Sequence, residues 1–93
     1  MEVCWKISGR VQRVGYRNWA VKKAHETGNL SGYICNFFDN TVLLYIRGNE
    51  QAIVNFKNLA YKGPWLARVD NIEEYPEGKT YFPLICDGIF KRI

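Results

Sequence analysis

The sequence predicts an α+β fold: strand, helix, strand, strand, helix, strand, then a C-terminal strand (βαββαβ plus one). Such a chain forms a mostly antiparallel sheet with two helices on one face. Three observations predict it. Apolar residues alternate through three segments, the mark of half-buried strands. Two other segments space their apolar residues as one helical face. Turn and breaker residues separate them all: Gly9, Gly28, Asp39-Asn40, Gly48 and Gly63-Pro64. Right-handed crossovers make this the economical topology for two such units.

Each element follows in order. "EVCWKIS" sets Val3, Trp5 and Ile7 against Cys4, Lys6 and Ser8, a first strand ended by Gly9. From about Arg17 to Thr27 the period lengthens. Tyr16, Ala20, Val21 and Ala24 share one face, and Gly28 suits the position after the helix end. "GYICNFFDNTVLLYIRG" reads as a hairpin. Asp39-Asn40 marks its turn because both residues tolerate positive φ. The second strand sets Ile34, Asn36 and Phe38 against Tyr33, Cys35 and Phe37. The third sets Val42, Leu44 and Ile46 against Leu43 and Tyr45. Asn49 caps a second helix over about Glu50–Ala60, with Ala52, Ile53, Phe56, Leu59 and Ala60 inward. "ARVDNIEEY" is a fourth strand with Val69 and Ile72 in the core and a bulge between them. "EYPEGKT" is a polar turn. "YFPLIC" and "GIFKRI" are each candidate strands, the first confined to an edge by Pro83.

Composition bounds the function. Ninety-three residues, 47% hydrophobic, suit one globular domain over 1–93. No apolar run approaches the ~20 residues that span a bilayer, so no membrane partner is expected. The N-terminus begins with an acid and alternates, unlike a secretion signal; a cytoplasmic location is expected. Cys4, Cys35 and Cys86 are odd in number and far apart, and His25 is the single histidine. Reduced thiols are expected, with no zinc site and His25 an ordinary surface residue. Trp5, Trp19 and Trp65 are read as packing residues. The net charge of +4 is uneven. Residues 1–23 carry six basic side chains against one acid, and the remainder is slightly acidic. Such a field attracts anions.

The excess charge surrounds "GRVQRVGYRNWA". A Gly-containing loop between a strand and a helix is a recurring anion site, because N–H groups at a helix start lack intrahelical partners. Gly9 and Gly15 let the backbone bend, and Arg17 at the junction adds a bidentate cation. The loop is neither of the common nucleotide-binding patterns. Asn36 is the second element. Its phase with Ile34 turns an amide inward, either to tie a backbone group near the Asp39-Asn40 turn or to orient a water.

The pair of motifs resembles the acylphosphatase family. "GRVQRVGYR" resembles its G-x-V-Q-G-V-G-F/Y-R loop, and "LSGYICNFFDNTV" resembles its G-W/Y-V-x-N-x-x-D-G-x-V hairpin. "FKNLAYKGPWLARVDNI" is similar to its second helix, Gly-Pro break and fourth strand. The resemblance covers residues 3 to about 74 and implies the ferredoxin-like α/β sandwich. It also implies hydrolysis of the carboxyl-phosphate bond of acyl phosphates, giving a carboxylate and phosphate. By similarity, phosphate binds to Val11, Gln12, Arg13, Val14, Gly15 and Tyr16 through loop amides and to Arg17 through its side chain. Arg17 and Asn36 are the catalytic pair, Asn36 orienting the attacking water. No metal, cofactor or phosphoenzyme is implied. The partners are a small acyl phosphate and phosphate itself, as product or competing ligand, and the chain is expected to be a monomer.

Two departures from the family pattern stand out. Arg13 occupies a position where the family has Gly. The expectation is an ordinary backbone there, so that Arg13 only adds charge and is dispensable. "DGIFKRI" matches the family's closing G-F-x-I-R only loosely. The alternative reading is a phosphoanion- or nucleic-acid-binding module on the same fold without hydrolase activity. It would use Tyr33, Phe37, Leu43 and Tyr45 as an aromatic platform. The aromatic signature of RNA-recognition strands is absent from the third strand, and the tail offers a cover for that face. Nucleic acid is therefore not the expected partner.

Overall fold

The computed structural model describes residues 1–82 and 90–92. Its elements are β1 (Glu2–Arg10), α1 (Tyr16–Thr27), β2 (Leu30–Asn36), β3 (Val42–Gly48), α2 (Glu50–Lys62), β4 (Arg68–Glu74) and β5 (Phe90–Arg92). A 3-10 segment, Phe38–Asn40, joins β2 to β3, and a second, Pro76–Tyr81, follows β4. The sheet order is β4-β1-β3-β2-β5. All pairs are antiparallel except β2 with β5, which is parallel. Of the two candidate tail strands, "GIFKRI" supplies β5, whereas Tyr81 closes the second 3-10 segment. Pro83 and Cys86 lie outside the described residues.

The helices form for the reasons their sequences carry. Asn49 accepts a hydrogen bond from the Ala52 N–H at 2.8 Å, so α2 starts on a side-chain cap. Gly28 and Gly63 follow the two helix ends with positive φ, and the N–H of each bonds back into its helix. Asp39 and Asn40 both take positive φ at the hairpin turn. The expected bulge is present as well. Ser8 pairs with Asn71 and Gly9 with Val69, which leaves Asp70 unmatched. Gly9 is required there: a Cβ would stand 2.1 Å from the Arg68 carbonyl oxygen.

The core lies between the sheet and the helices. Trp5, Ile7, Ile34, Leu44 and Ile46 meet Tyr16, Ala20 and Ala24 of α1 and Ile53 and Phe56 of α2. Each large apolar side chain fully buried here contributes about 1.5–3 kcal/mol. The Tyr16 hydroxyl crosses this layer and donates to the Ala60 carbonyl at 2.7 Å. That carbonyl needs a donor from outside the helix, because the residue four positions on is Pro64, which has no N–H. Burial pushes the Tyr16 phenol well above its usual value.

The opposite face of the sheet is covered too. Cys4, Tyr33, Leu43 and Tyr45 are buried beneath Phe82, with Tyr75 and Phe37 packed at the margin. Phe82 stacks between the Tyr33 and Tyr45 rings, at centroid separations of 5.9 and 6.2 Å. Glu2 ties this cover to the N-terminus: it accepts from Tyr45 at 2.5 Å and from Lys79. The Lys79 and Tyr45 hydrogen bonds hold its carboxyl below the ordinary value. Tyr33, Leu43 and Tyr45 are therefore not open to bases. Trp65 also departs from expectation. Trp5 is buried and Trp19 packs on the core, but Trp65 is 95% exposed. It sits past the Gly63-Pro64 break, where the chain has left the α2 face.

Candidate active site

Strand direction assembles the site. β1 is antiparallel to β3, and β3 to β2, so β1 and β2 run the same way. β5 is parallel to β2. The C-terminal ends of β1, β2 and β5 therefore share one edge of the sheet. The loop after β1, Asn36 at the end of β2 and Arg92 at the end of β5 all emerge there.

They meet in a cleft of about 200 Å³ whose lining includes Arg13, Gly15, Arg17, Asn18, Asn36 and Arg92. Three guanidinium groups and no carboxylate line it among the described residues. Helix α1 begins at the cleft on Gly15, at φ 79°, with no side-chain cap. Its first N–H groups are left for an anion to accept. Gly15 is needed for its left-handed backbone, since the space around its missing side chain is open. Arg17 is partly buried. Its pKa is lowered by burial and by the neighbouring charge of Arg92, while Cys35 acts in the opposite direction. An anion placed between Arg17 and Arg92 relieves their repulsion.

The loop residues separate by direction. Val11, Arg13, Gly15, Tyr16 and Arg17 line the cleft, whereas Val14 packs on the core. Gln12 turns to the other side. Its amide nitrogen donates to the Phe37 carbonyl at 3.1 Å and to the Thr41 carbonyl at 2.8 Å. Gln12 thus performs the tie to the hairpin that is one of the two readings of Asn36. The side chain of Asn36 is exposed at the cleft rim, not turned into the core. It shares the phase of Ile34, but β2 ends there, beyond the cover of the helices.

Arg13 overturns an expectation. Its φ is 63°, in the left-handed region. The loop demands at this position the conformation that glycine takes freely, and Arg13 adopts it at a cost. Arg92 is the residue the sequence reading missed. It pairs with Ile34 in register, and its guanidinium donates to the Asn18 amide oxygen at 2.8 Å. The arginine closing the family's G-F-x-I-R pattern was its available signal. His25 is exposed, with Nε2 3.2 Å from the Phe90 carbonyl oxygen, and stands apart from the cleft. Burial pushes the Cys4 thiol up to about 12 and raises that of Cys35, which Arg17 partly offsets. Neither is set up as a nucleophile.

The acylphosphatase family model matches residues 3–82. The chain belongs to the acylphosphatase family. An acylphosphatase of Thermus thermophilus is 46% identical over 67 residues, covering 72% of this chain and 75% of that one. One of Nitrobacter winogradskyi is 34% identical over 82 residues, covering 88% and 82%. The solved acylphosphatase of Bacillus subtilis superposes with a TM-score of 0.81 at 23% identity, over 99% of this chain and 97% of that one. That likeness shows the ferredoxin-like fold. No group of three or more potential metal ligands is found among the described residues. No helix among them is long and apolar enough to cross a membrane.

Proposed function

We propose that this acylphosphatase-family chain hydrolyses acyl phosphates to a carboxylate and inorganic phosphate. The observation that carries the reading is the convergence of Arg17 and Asn36 on one cleft at the uncapped start of α1, where no carboxylate is found among the described residues. The phosphoryl group sits in the loop from Val11 to Arg17, accepting backbone N–H bonds. Arg17 closes on two of its oxygens. Arg92, oriented by Asn18, adds a second cation. Asn36 accepts a hydrogen bond from water through its amide oxygen and directs the water's lone pair at phosphorus. Water's oxygen bonds to phosphorus as the bond to the acyl oxygen breaks. The carboxylate leaves, and the water's proton goes to the phosphate oxygens of the substrate. A carboxylate is a good leaving group, so positioning and charge stabilisation carry the reaction without a protein base. The donors that line the cleft suit an anion and not a cation, so the reading includes no metal. It extends to a single domain over residues 1–93 acting as a cytoplasmic monomer.

Acetyl phosphate hydrolysis tests the proposal. Wild type is expected to turn it over equally with and without EDTA, and Arg17→Ala to lose at least ~10²-fold in kcat/KM, as on removal of one preorganised donor. No release of phosphate above the spontaneous rate by wild type would sink it.

A further inference from the structure

A second cleft adjoins the first. It encloses about 370 Å³ and is lined by Gln12, Cys35, Asn36, Phe37, Phe38 and Tyr81. Asn36 lines both clefts, so it forms their common border. The two differ in chemistry. Arginines line the first; among the described residues the second has three aromatic rings and no charged side chain. Phe37 is half-buried, with the Phe38 ring centroid 4.9 Å away and the Tyr81 ring edge-on at 5.0 Å. Phe38 and Tyr81 leave 69% and 55% of their surfaces open to water. They come from different elements, the β2–β3 connection and the segment after β4, so only the folded chain brings them together. Exposed rings around an uncharged concave floor suit a small apolar ligand.

In the proposed hydrolysis the water stands between the Asn36 amide and phosphorus. Displacement at phosphorus runs roughly in line, so the acyl group departs on the side away from Asn36. The Asn36 side admits the nucleophile, and the second cleft opens there. We propose that this cleft admits a second phosphoryl acceptor, a small aromatic alcohol that takes the place of water, so that the protein also transfers the phosphoryl group of acyl phosphates to such alcohols. The inference rests on the hydrolase reading and extends it. The Asn36 amide oxygen accepts a hydrogen bond from the alcohol's hydroxyl as it does from water. The alcohol's ring stacks on Phe38 and Tyr81 and displaces water from both. The hydroxyl oxygen bonds to phosphorus as the bond to the acyl oxygen breaks. The carboxylate leaves with the electron pair of that bond, and the hydroxyl proton goes to the phosphoryl oxygens. The products are a carboxylate and a phosphate monoester. A mixed anhydride is a stronger phosphoryl donor than an ester, so the transfer runs downhill. Methanol can make the same hydrogen bond but reaches neither ring.

The experiment follows acetyl phosphate by phosphorus NMR with benzyl alcohol or methanol present at equal concentration, against an enzyme-free control. Wild type is expected to form benzyl phosphate at least ~10-fold faster than methyl phosphate, the scale of discrimination by a modest apolar contact. Phe38→Ala/Tyr81→Ala is expected to bring benzyl phosphate down to the methyl phosphate rate while still releasing inorganic phosphate from acetyl phosphate, which reports that the variant is folded. Phe38→Leu, which restores apolar surface, is expected to keep most of the transfer. Release of inorganic phosphate with no benzyl phosphate above the control overturns the acceptor site and leaves the hydrolase reading standing. So does benzyl phosphate formed no faster than methyl phosphate, or formed equally by wild type and the double variant. Neither inorganic phosphate nor ester above the control overturns both readings.

Discussion

Arg13 shows at the scale of one residue how the loop is built. Its backbone is left-handed, at φ 63°. A side chain there costs on the order of 1–2 kcal/mol, and glycine's greater freedom in the unfolded chain offsets about half of that gain. Arg13→Gly is therefore expected to stabilise the protein by about 0.5–1 kcal/mol in urea unfolding; a loss of stability would show that the arginine makes a compensating contact. The same residue marks a limit of reading from sequence. The motif alignment exposes the substitution, but only the backbone tells which conformation the position requires. Asn36 teaches the matching lesson. Its alternation with Ile34 is real, yet period alone does not say where the helices stop covering the sheet.

At the scale of elements, nearly everything regular was legible. Alternation in "EVCWKIS", the Asp39-Asn40 turn, the Asn49 cap and the Gly63-Pro64 break each report a local physical requirement, and each element stands where its signal puts it. The bulge at Asp70 was legible for the same reason, from spacing between Val69 and Ile72. What stayed hidden are the ties between elements. Tyr16 with Ala60 and Gln12 with Phe37 and Thr41 join residues 25 to 44 positions apart, and no local pattern encodes them. The Gln12 tie is the consequential one. It fixes the loop after β1 to the hairpin that carries Asn36, and in the proposed mechanism it is the brace that sets the distance between phosphate and water. Gln12→Ala is expected to lower kcat by roughly tenfold or more, since small misplacements of reacting groups are costly, with phosphate affinity retained. Unchanged kcat in that variant would remove the brace from the account.

At the scale of the whole molecule, topology makes the site. Two antiparallel steps, β1 to β3 and β3 to β2, plus one parallel step to β5 bring three strand ends to a single edge. The loop, Asn36 and Arg92 therefore meet although they are distant in the chain. The motif pair in the sequence was enough to name Arg17 and Asn36 together. Arg92 depends on the register of a three-residue strand, which its sequence specifies weakly. The cover over the second sheet face turns the aromatic strands inward and leaves this edge as the place where charge and apolar surface adjoin.

The proposed mechanism divides the labour: Arg17 holds the anion and Asn36 aims the water. Titration calorimetry with inorganic phosphate, alongside acetyl phosphate turnover, separates the two. Arg17→Ala is expected to weaken phosphate binding at least ~10-fold, the worth of a charged hydrogen bond. Asn36→Ala is expected to bind phosphate within about threefold of wild type while losing roughly 10²-fold in kcat. Equal phosphate affinity in wild type and Arg17→Ala would contradict the account.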